Sequence, residues 1–317
     1  WQADQLHVPA DPQIRSMRLT VEPDYEFIGR AAEDDLRYDW TFINPRIGIT
    51  FIHSPSLSSY ASLGRMGREP TKVDIFGGFS LISENFESAA NTSFGPEFVN
   101  NIEAGLRWNR SKMAVSGNLF YMDFVDEIAP IGQLLAFGVQ QRENIASSAR
   151  YGAELEWNTL LVSSLMPTGS PSRSSSLSWE GSLAWMRSQI DAFSTPDGQR
   201  YVDREAILSP NWIINQALVL DALTRWGSRL EGRYVSESFM ELTNNPSFVV
   251  PAYTLLNAQI SWKGSRVDLR MDFNNLLDAQ YYSTGSPVDV DFNGSMDEPG
   301  FLANAGRNIM LSTRFRF

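Results

Sequence analysis

Leu256-Asn257-Ala258-Gln259-Ile260-Ser261-Trp262-Lys263-Gly264-Ser265-Arg266-Val267-Asp268-Leu269-Arg270-Met271-Asp272-Phe273 reads as two β-strands joined by a tight turn. Leu256, Ala258, Ile260 and Trp262 share one face, opposed by Asn257, Gln259 and Ser261. Beyond Lys263-Gly264-Ser265, Val267, Leu269, Met271 and Phe273 oppose Asp268, Arg270, Asp272 and Asn274. A two-residue period puts alternate side chains on opposite faces of a strand. The same pattern recurs upstream, where Ile102, Ala104, Leu106 and Trp108 oppose Glu103, Gly105 and Arg107, and Tyr151, Ala153, Leu155 and Trp157 oppose Gly152, Glu154 and Glu156. Alternation alone also fits a soluble sheet with one wet face. The strand ends point to a membrane, because Trp108, Trp157 and Trp262 each close an apolar face, where an amphipathic ring meets a membrane-water boundary.

Composition narrows the classes. A hydrophobic content of 43% is that of a folded chain, yet no run reaches the roughly 18 apolar residues a membrane helix needs. The longest candidate, Trp212 to Leu223, is broken by Asn215, Gln216 and Asp221. A formal charge of -11 argues against nucleic acid as a partner, since phosphate binding takes clustered Lys and Arg. No cysteine is present, which removes disulfides, thiolate metal sites and cysteine nucleophiles. The chain opens on Trp1 within a polar segment that lacks a basic and apolar leader, and reads as a mature chain or a fragment.

Counted back from the C-terminus, strands are expected near 305–317, 266–276, 252–262, 226–237, 208–221, 175–188, 145–160, 113–126, 97–108, 58–65, 40–52 and 14–27. An outer-membrane barrel alternates short periplasmic turns with long extracellular loops. The turns at 53–57, 109–112, 222–225 and 263–265 are short, while 161–174 is longer. The intervening connections near 28–39, 66–96, 127–144, 189–207, 238–251 and 279–304 are long and carry most of the Pro, Ser, Asn and acidic residues. The expected fold is therefore all-β, an antiparallel transmembrane β-barrel of about 12 strands. In the last strand Ile309, Leu311, Thr313, Phe315 and Phe317 face outward, and the terminal Phe317 is similar to the sorting signal read by the barrel assembly machinery.

Several segments, in order, resemble those of TonB-dependent receptors over about residues 44–317. They are Asn44-Pro45-Arg46-Ile47-Gly48-Ile49-Thr50, Ser59-Tyr60-Ala61-Ser62-Leu63-Gly64-Arg65 with Gly67-Arg68-Glu69-Pro70, Gly95-Pro96-Glu97 leading to Asn101-Ile102-Glu103, Phe120-Tyr121-Met122-Asp123, Tyr151-Gly152-Ala153-Glu154-Leu155-Glu156, and Asn274-Asn275-Leu276-Leu277-Asp278 with Tyr281. Leu277 departs from the usual Phe, and Ala305-Gly306-Arg307 from the usual glycine-x-proline-arginine. The resemblance implies a partial segment of a barrel of about 22 strands whose lumen holds a plug. Residues 1–317 would then be the barrel portion, with the plug absent. It further implies the outer membrane of a Gram-negative bacterium, contact with its lipid, TonB-dependent uptake of a siderophore-like ligand, and a TonB complex reached through the missing N-terminal part.

Catalytic constellations are absent. His7 and His53 are the only histidines, no nucleophile elbow or phosphate loop appears, and Glu154 and Glu156 line one polar face of a lumen wall. No cofactor is expected. The segment 289–298 offers Asp289, Asp291, Asn293 and Asp297 as candidate calcium ligands, but Gly300 stands where the bidentate Glu of a calcium loop belongs, so no metal site is assigned. Candidate ligand contacts are the loop aromatics Phe79, Phe86, Phe239, Tyr281, Tyr282 and Phe292, which equally suit loop-on-loop packing. Arg229, Glu231, Arg233, Asp268, Arg270, Asp272, Arg314 and Arg316 face the lumen and, in an intact family member, the plug. Two rivals remain: a self-contained 12-stranded porin-like passive channel, and a soluble all-β binding module.

Overall fold

The computed structural model describes residues 16–21, 25–30, 35–71, 74, 95–135, 139–163, 175–195, 198–222, 225–291 and 297–316. Its elements are strands: β1 (Ser16–Val21), β2 (Tyr25–Arg30), β3 (Asp35–Trp40), β4 (Ile43–Ser54), β5 (Leu57–Arg68), β6 (Glu97–Arg110), β7 (Met113–Leu135), β8 (Val139–Val162), β9 (Ser176–Ser194), β10 (Arg200–Arg204), β11 (Trp212–Ala222), β12 (Trp226–Val235), β13 (Ser238–Phe239), β14 (Val249–Val250), β15 (Tyr253–Lys263), β16 (Val267–Asn274), β17 (Tyr282–Val288), β18 (Glu298–Ala303) and β19 (Asn308–Phe315). Twelve of them form one antiparallel wall in the order β1-β4-β5-β6-β7-β8-β9-β11-β12-β15-β16-β19, with β10 added beside β9. Eleven of them answer to strands expected from the alternation, and the expected strand 14–27 is divided: β1 ends at Val21, while 25–27 open β2, which pairs with β3 in a separate hairpin. Among the described residues β1 and β19 do not pair, so the wall is an open segment of a barrel.

Register carries the alternation from strand to strand. Ile47, Leu63, Ile102, Tyr121 and Tyr151 lie opposite one another in turn, and so do Ala104, Leu119, Ala153, Trp185 and Trp212. Farther along, Leu218, Leu230, Ala258, Phe273 and Ile309 continue the same face. This face is bare: Leu119 is 63% exposed, Ile102 57%, Leu218 45% and Ile260 46%. A contiguous apolar surface across eleven strands, β4 to β19 of the wall, exceeds what a soluble monomer leaves in water, and hydrocarbon is the medium in which it costs nothing.

Two aromatic belts bound it. At the long-connection end Tyr121, Tyr151, Trp185 and Trp212 run ring to ring across four strands at 6.5, 6.1 and 6.3 Å. At the short-turn end Trp157 meets Trp179 edge-on at 5.2 Å and Trp226 lies opposite Trp262. The short turns are as read from the sequence, with Ser111-Lys112 closing β6 on β7 and Gly264–Arg266 joining β15 to β16.

The long connections hold more strand than expected: β2 with β3, β13 with β14 and β17 with β18 form separate hairpins within them, and wall strands extend into two others. Residues 127–144 and 189–207, read as loops from their Pro and polar content, largely continue as strands, since Ala129 pairs with Glu143, Leu135 with Val139, and Tyr201 with Phe193. A hairpin ladder satisfies its own backbone groups and so persists beyond the apolar band without needing apolar alternation. The buried clusters accordingly sit at the long-connection end, where β7, β8 and β9 run on beyond the apolar band and meet the neighbouring connections. Ala129, Ile145, Ile190, Phe193, Ala206 and Leu242 form one cluster, and Met240, Phe248 and Val250 with Tyr282 another.

Candidate functional site

The polar face of the wall is a hydrogen-bonded ladder. Arg229 on β12 donates to Glu180 on β9 at 2.5 Å and to Glu231 at 2.9 Å, while Asn158 on β8 donates to the same Glu180 at 3.1 Å. Arg233 donates to Asn215 Oδ1 and the Asn215 amide to Ser182 Oγ, both at 3.0 Å. On the next strands Tyr60 OH donates to Asn118 (3.0 Å), whose amide donates to Glu154 (3.2 Å), and the Arg107 guanidinium lies 4.6 Å above the Tyr60 ring. At the other edge Gln259 and Arg270 both donate to Asp272, and Arg316 pairs with Asp268. The lumen-facing residues named from the sequence are thus brought onto one face. Sequence reasoning passed over Glu180 and Tyr60, although the alternation of Ser178, Glu180 and Ser182 places Glu180 there. A groove of about 570 Å³ is lined by Arg107, Glu156, Asn158, Glu180, Arg229 and Glu231.

Tyr60 depends on a glycine. A Cβ at Gly105, its cross-strand partner, would meet the Tyr60 ring at 2.5 Å, so the ring lies flat across the strand only because Gly105 has no side chain. At the long-connection end a second polar assembly ties connection 69–96 to the wall. Asp74, its side chain 0% exposed, accepts from Thr71 N and Oγ1 (both 2.8 Å), from Arg142 (2.7 Å) and from Arg68 (3.2 Å), and Arg68 also donates to Glu97 at 2.6 Å. Burial pushes the Asp74 carboxyl up, but the Thr71 groups and the Arg142 guanidinium outweigh it and hold it below its ordinary 3.8. Asn144 closes the return end of this connection, accepting from Gly95 N at 2.9 Å and donating to Gly95 O at 3.0 Å. Arg68, Gly95 and Glu97 fall in segments quoted for the family resemblance, but Thr71, Asp74, Arg142 and Asn144 did not stand out, because the bonds that tie them to the wall reach partners 6 to 68 positions away.

The loop aromatics fall into three groups. Tyr282 lies tilted against Phe301 (4.4 Å between centroids) and packs on the Met240 cluster, Tyr281 lies 4.9 Å from Tyr253, and Phe239 is half-buried in β13. Phe79, Phe86, Phe292 and Phe317 lie outside the described residues. Of the calcium candidates, Asp291 and Asp297 converge with Glu298 so that their carboxylates lie within 4.8 Å of one another; Asp289 is not one of the three and Asn293 lies outside the described residues.

An antiparallel wall with even-numbered strands, an apolar outer face between aromatic belts, a polar inner face and alternating short and long connections defines a transmembrane β-barrel. The comparisons narrow this further. Residues 18–276 match the family described as TonB dependent receptor-like, beta-barrel, and the chain belongs to that family. Among solved structures it is similar to the ferric yersiniabactin uptake receptor FyuA from Yersinia pestis, with a TM-score of 0.64, 17% identity, and 90% of this chain and 39% of that one covered. It is also similar to the copper transporter OprC (0.66, 17% identity, 90% and 41% covered) and to the siderophore receptor PiuA from Acinetobacter baumannii (0.63, 16% identity, 92% and 38% covered). At these identities the likeness concerns the fold alone, and the chain spans about two-fifths of each of these receptors, 38% to 41% of their length. No curated protein matches the sequence. The family is one of Gram-negative outer-membrane receptors and transporters rather than enzymes.

Proposed function

We propose that this chain is the barrel portion of an outer-membrane receptor that takes up a scarce nutrient, a ferric siderophore in the leading case, by TonB-dependent active transport. The observation that carries the reading is the wall itself: twelve strands, eleven of them described as bare and apolar outside, laddered with Arg–carboxylate pairs inside, and similar to a segment of ferric and copper uptake receptors. Ligand would be met by aromatics of the long connections, with Phe239, Tyr281 and Tyr282 among the described candidates and Phe79, Phe86 and Phe292 proposed from sequence. The ladder of Arg229, Glu180, Glu231 and Arg233 would face a plug, whose displacement must break or hydrate those pairs. TonB, the barrel assembly machinery and outer-membrane lipid are proposed partners, no nucleic acid is, and the chain is assigned no catalytic role. Calcium at Asp291 and Asp297 would be tested by thermal melts, and no shift at millimolar calcium would remove it.

The test is uptake. Expressed from its complete reading frame in cells lacking their own siderophore receptors, the protein should restore accumulation of radiolabelled iron from at least one of a hydroxamate and catecholate panel, and lose it when TonB is deleted. Accumulation that is independent of TonB, together with solute-selective swelling of proteoliposomes, would instead establish the passive channel.

A further inference from the structure

A carboxamide stands on the lipid-facing side of the wall. The outward positions of β11 are Trp212, Ile214, Gln216, Leu218 and Leu220, since Trp212 lies opposite Trp185 and Leu218 lies opposite Trp179 and Leu230. Gln216 is four residues from the belt residue Trp212 and six from Ala222, which pairs with the belt residue Trp226. Its side chain therefore lies within the apolar band. On β9, β12 and β15 the outward positions between the belts are apolar, glycine or a single serine, Ser228.

Trp179 Nε1 donates to Gln216 Oε1 at 2.8 Å, and the Gln216 side chain makes no other hydrogen bond among the described residues. Both N–H groups of the amide are left without an acceptor. Elsewhere outward polar groups satisfy one another, as where Arg65 donates to Asn100 at 3.2 Å and Asn100 to Asp123 at 3.0 Å. Both cross-strand neighbours of Gln216 are glycines, Gly181 on β9 and Gly232 on β12. The Trp157 ring covers Gly181, whereas a Cβ at Gly232 would meet nothing within 4 Å. On the β12 side the amide thus borders bare backbone.

We infer that Gln216 and Gly232 form the centre of a contact with a second copy of this chain. An amide N–H without an acceptor is costly in the hydrocarbon core, which holds no water and no headgroup oxygen. The acceptor must come from protein. A second strand wall can offer only a side chain, because its backbone groups are already paired within the sheet. The group complementary to a carboxamide is another carboxamide, each donating one N–H and accepting at its oxygen. Two copies share one orientation in a membrane, so a twofold axis along the membrane normal sets Gln216 against Gln216 in a self-complementary contact. Gly232 beside it lets the two walls approach closely, as small residues do between membrane-embedded elements.

The contact rests on the membrane-embedded wall of the proposed function, not on its ligand, and the experiment separates the two. The protein from its complete reading frame, carrying a nitroxide at Ile260→Cys, is reconstituted in lipid vesicles. Ile260 faces outward on β15, beside the contact rather than in it. Pulsed dipolar spectroscopy should then show a defined distance between copies, and a nitroxide at Leu106→Cys on β6 should show none in the same range. Gln216→Leu, which removes the amide bonds, and Gly232→Leu, which fills the gap, should each weaken pairing about threefold to thirtyfold when protein is titrated against lipid. Both variants turn an apolar side chain to lipid, so insertion should survive, seen as a nitroxide open to oxygen and closed to a water-soluble nickel chelate. A nitroxide closed to nickel but without a defined distance between copies, or with one that Gln216→Leu leaves unchanged, would overturn the pairing while the membrane reading stands. A nitroxide open to nickel with Gln216 and Gly232 in place would overturn both.

Discussion

Leu230→Arg is the substitution that most directly tests what surrounds the wall. Leu230 lies on the outer face of β12, four residues from Trp226 and four from Tyr234, with Leu218 and Ala258 opposite it. At roughly 3.3 Å per residue and a tilt of about 40°, it sits about 10 Å from each aromatic level, the midplane of the apolar band. A guanidinium there has neither water nor a carboxylate within reach, and should cost about 2–4 kcal/mol, a loss of roughly thirtyfold to several hundredfold in the folding constant. In water the same change at a side chain already 45% exposed would stay within about 0.5 kcal/mol. The assay is denaturant-dependent folding into lipid vesicles followed by tryptophan fluorescence, with Tyr234→Arg at the boundary as the comparison, expected to cost no more than about 1 kcal/mol. Equal and negligible effects at 230 and 234 would refute the claim that hydrocarbon covers this face.

Gly152→Ala should destabilise by about 1–3 kcal/mol, because the new Cβ collides with the Trp185 carbonyl and the Phe120 ring, whereas Gly232→Ala, with open space around it, should be neutral; parallel vesicle-folding titrations decide. Asp74→Asn should loosen connection 69–96 by about 1–3 kcal/mol of local opening, seen as faster amide exchange near Gly95 and Arg142. Since the Asp74 carboxyl is held below 3.8, its contribution is complete above that pH and is lost as pH falls further, so limited proteolysis of the connection should accelerate only in that acid range. Asn244→Ala removes the bonds to Glu205 N (2.7 Å) and Glu205 O (3.0 Å) and strains a φ of 56°, and should raise amide exchange across 203–208.

The wall was legible in the sequence because a single physical requirement, an apolar residue at every second position facing lipid, repeats over twelve strands. The short turns were legible for the same reason: they interrupt the alternation for only a few residues, as at Ser111-Lys112. What lies beyond the apolar band was not, since outside it neither face of a hairpin must be apolar. Hence the continuation of β7 and β8 past Asp126, itself at a φ of 55°, carried no alternation to read. The lumen ladder was half legible. Its members were placed on the right face, but which Arg meets which Glu depends on register and stagger, and Arg229 reaches Glu180 across β11 rather than a nearest neighbour in sequence. The Asp74 assembly depends on contacts such as that with Arg142, 68 positions away, which no local pattern encodes.

The open edges of the wall bear on the choice between an active receptor and a passive channel. An even number of antiparallel strands leaves β1 and β19 antiparallel to each other, so parity alone would allow twelve strands to close on themselves. Diameter grows with strand number, and a closed ring of twelve would have about half the width of one of 22. The similar solved structures cover 88% to 92% of this chain, while the chain covers only 31% to 41% of theirs. TonB dependence of uptake, rather than strand parity, therefore separates the receptor from the channel.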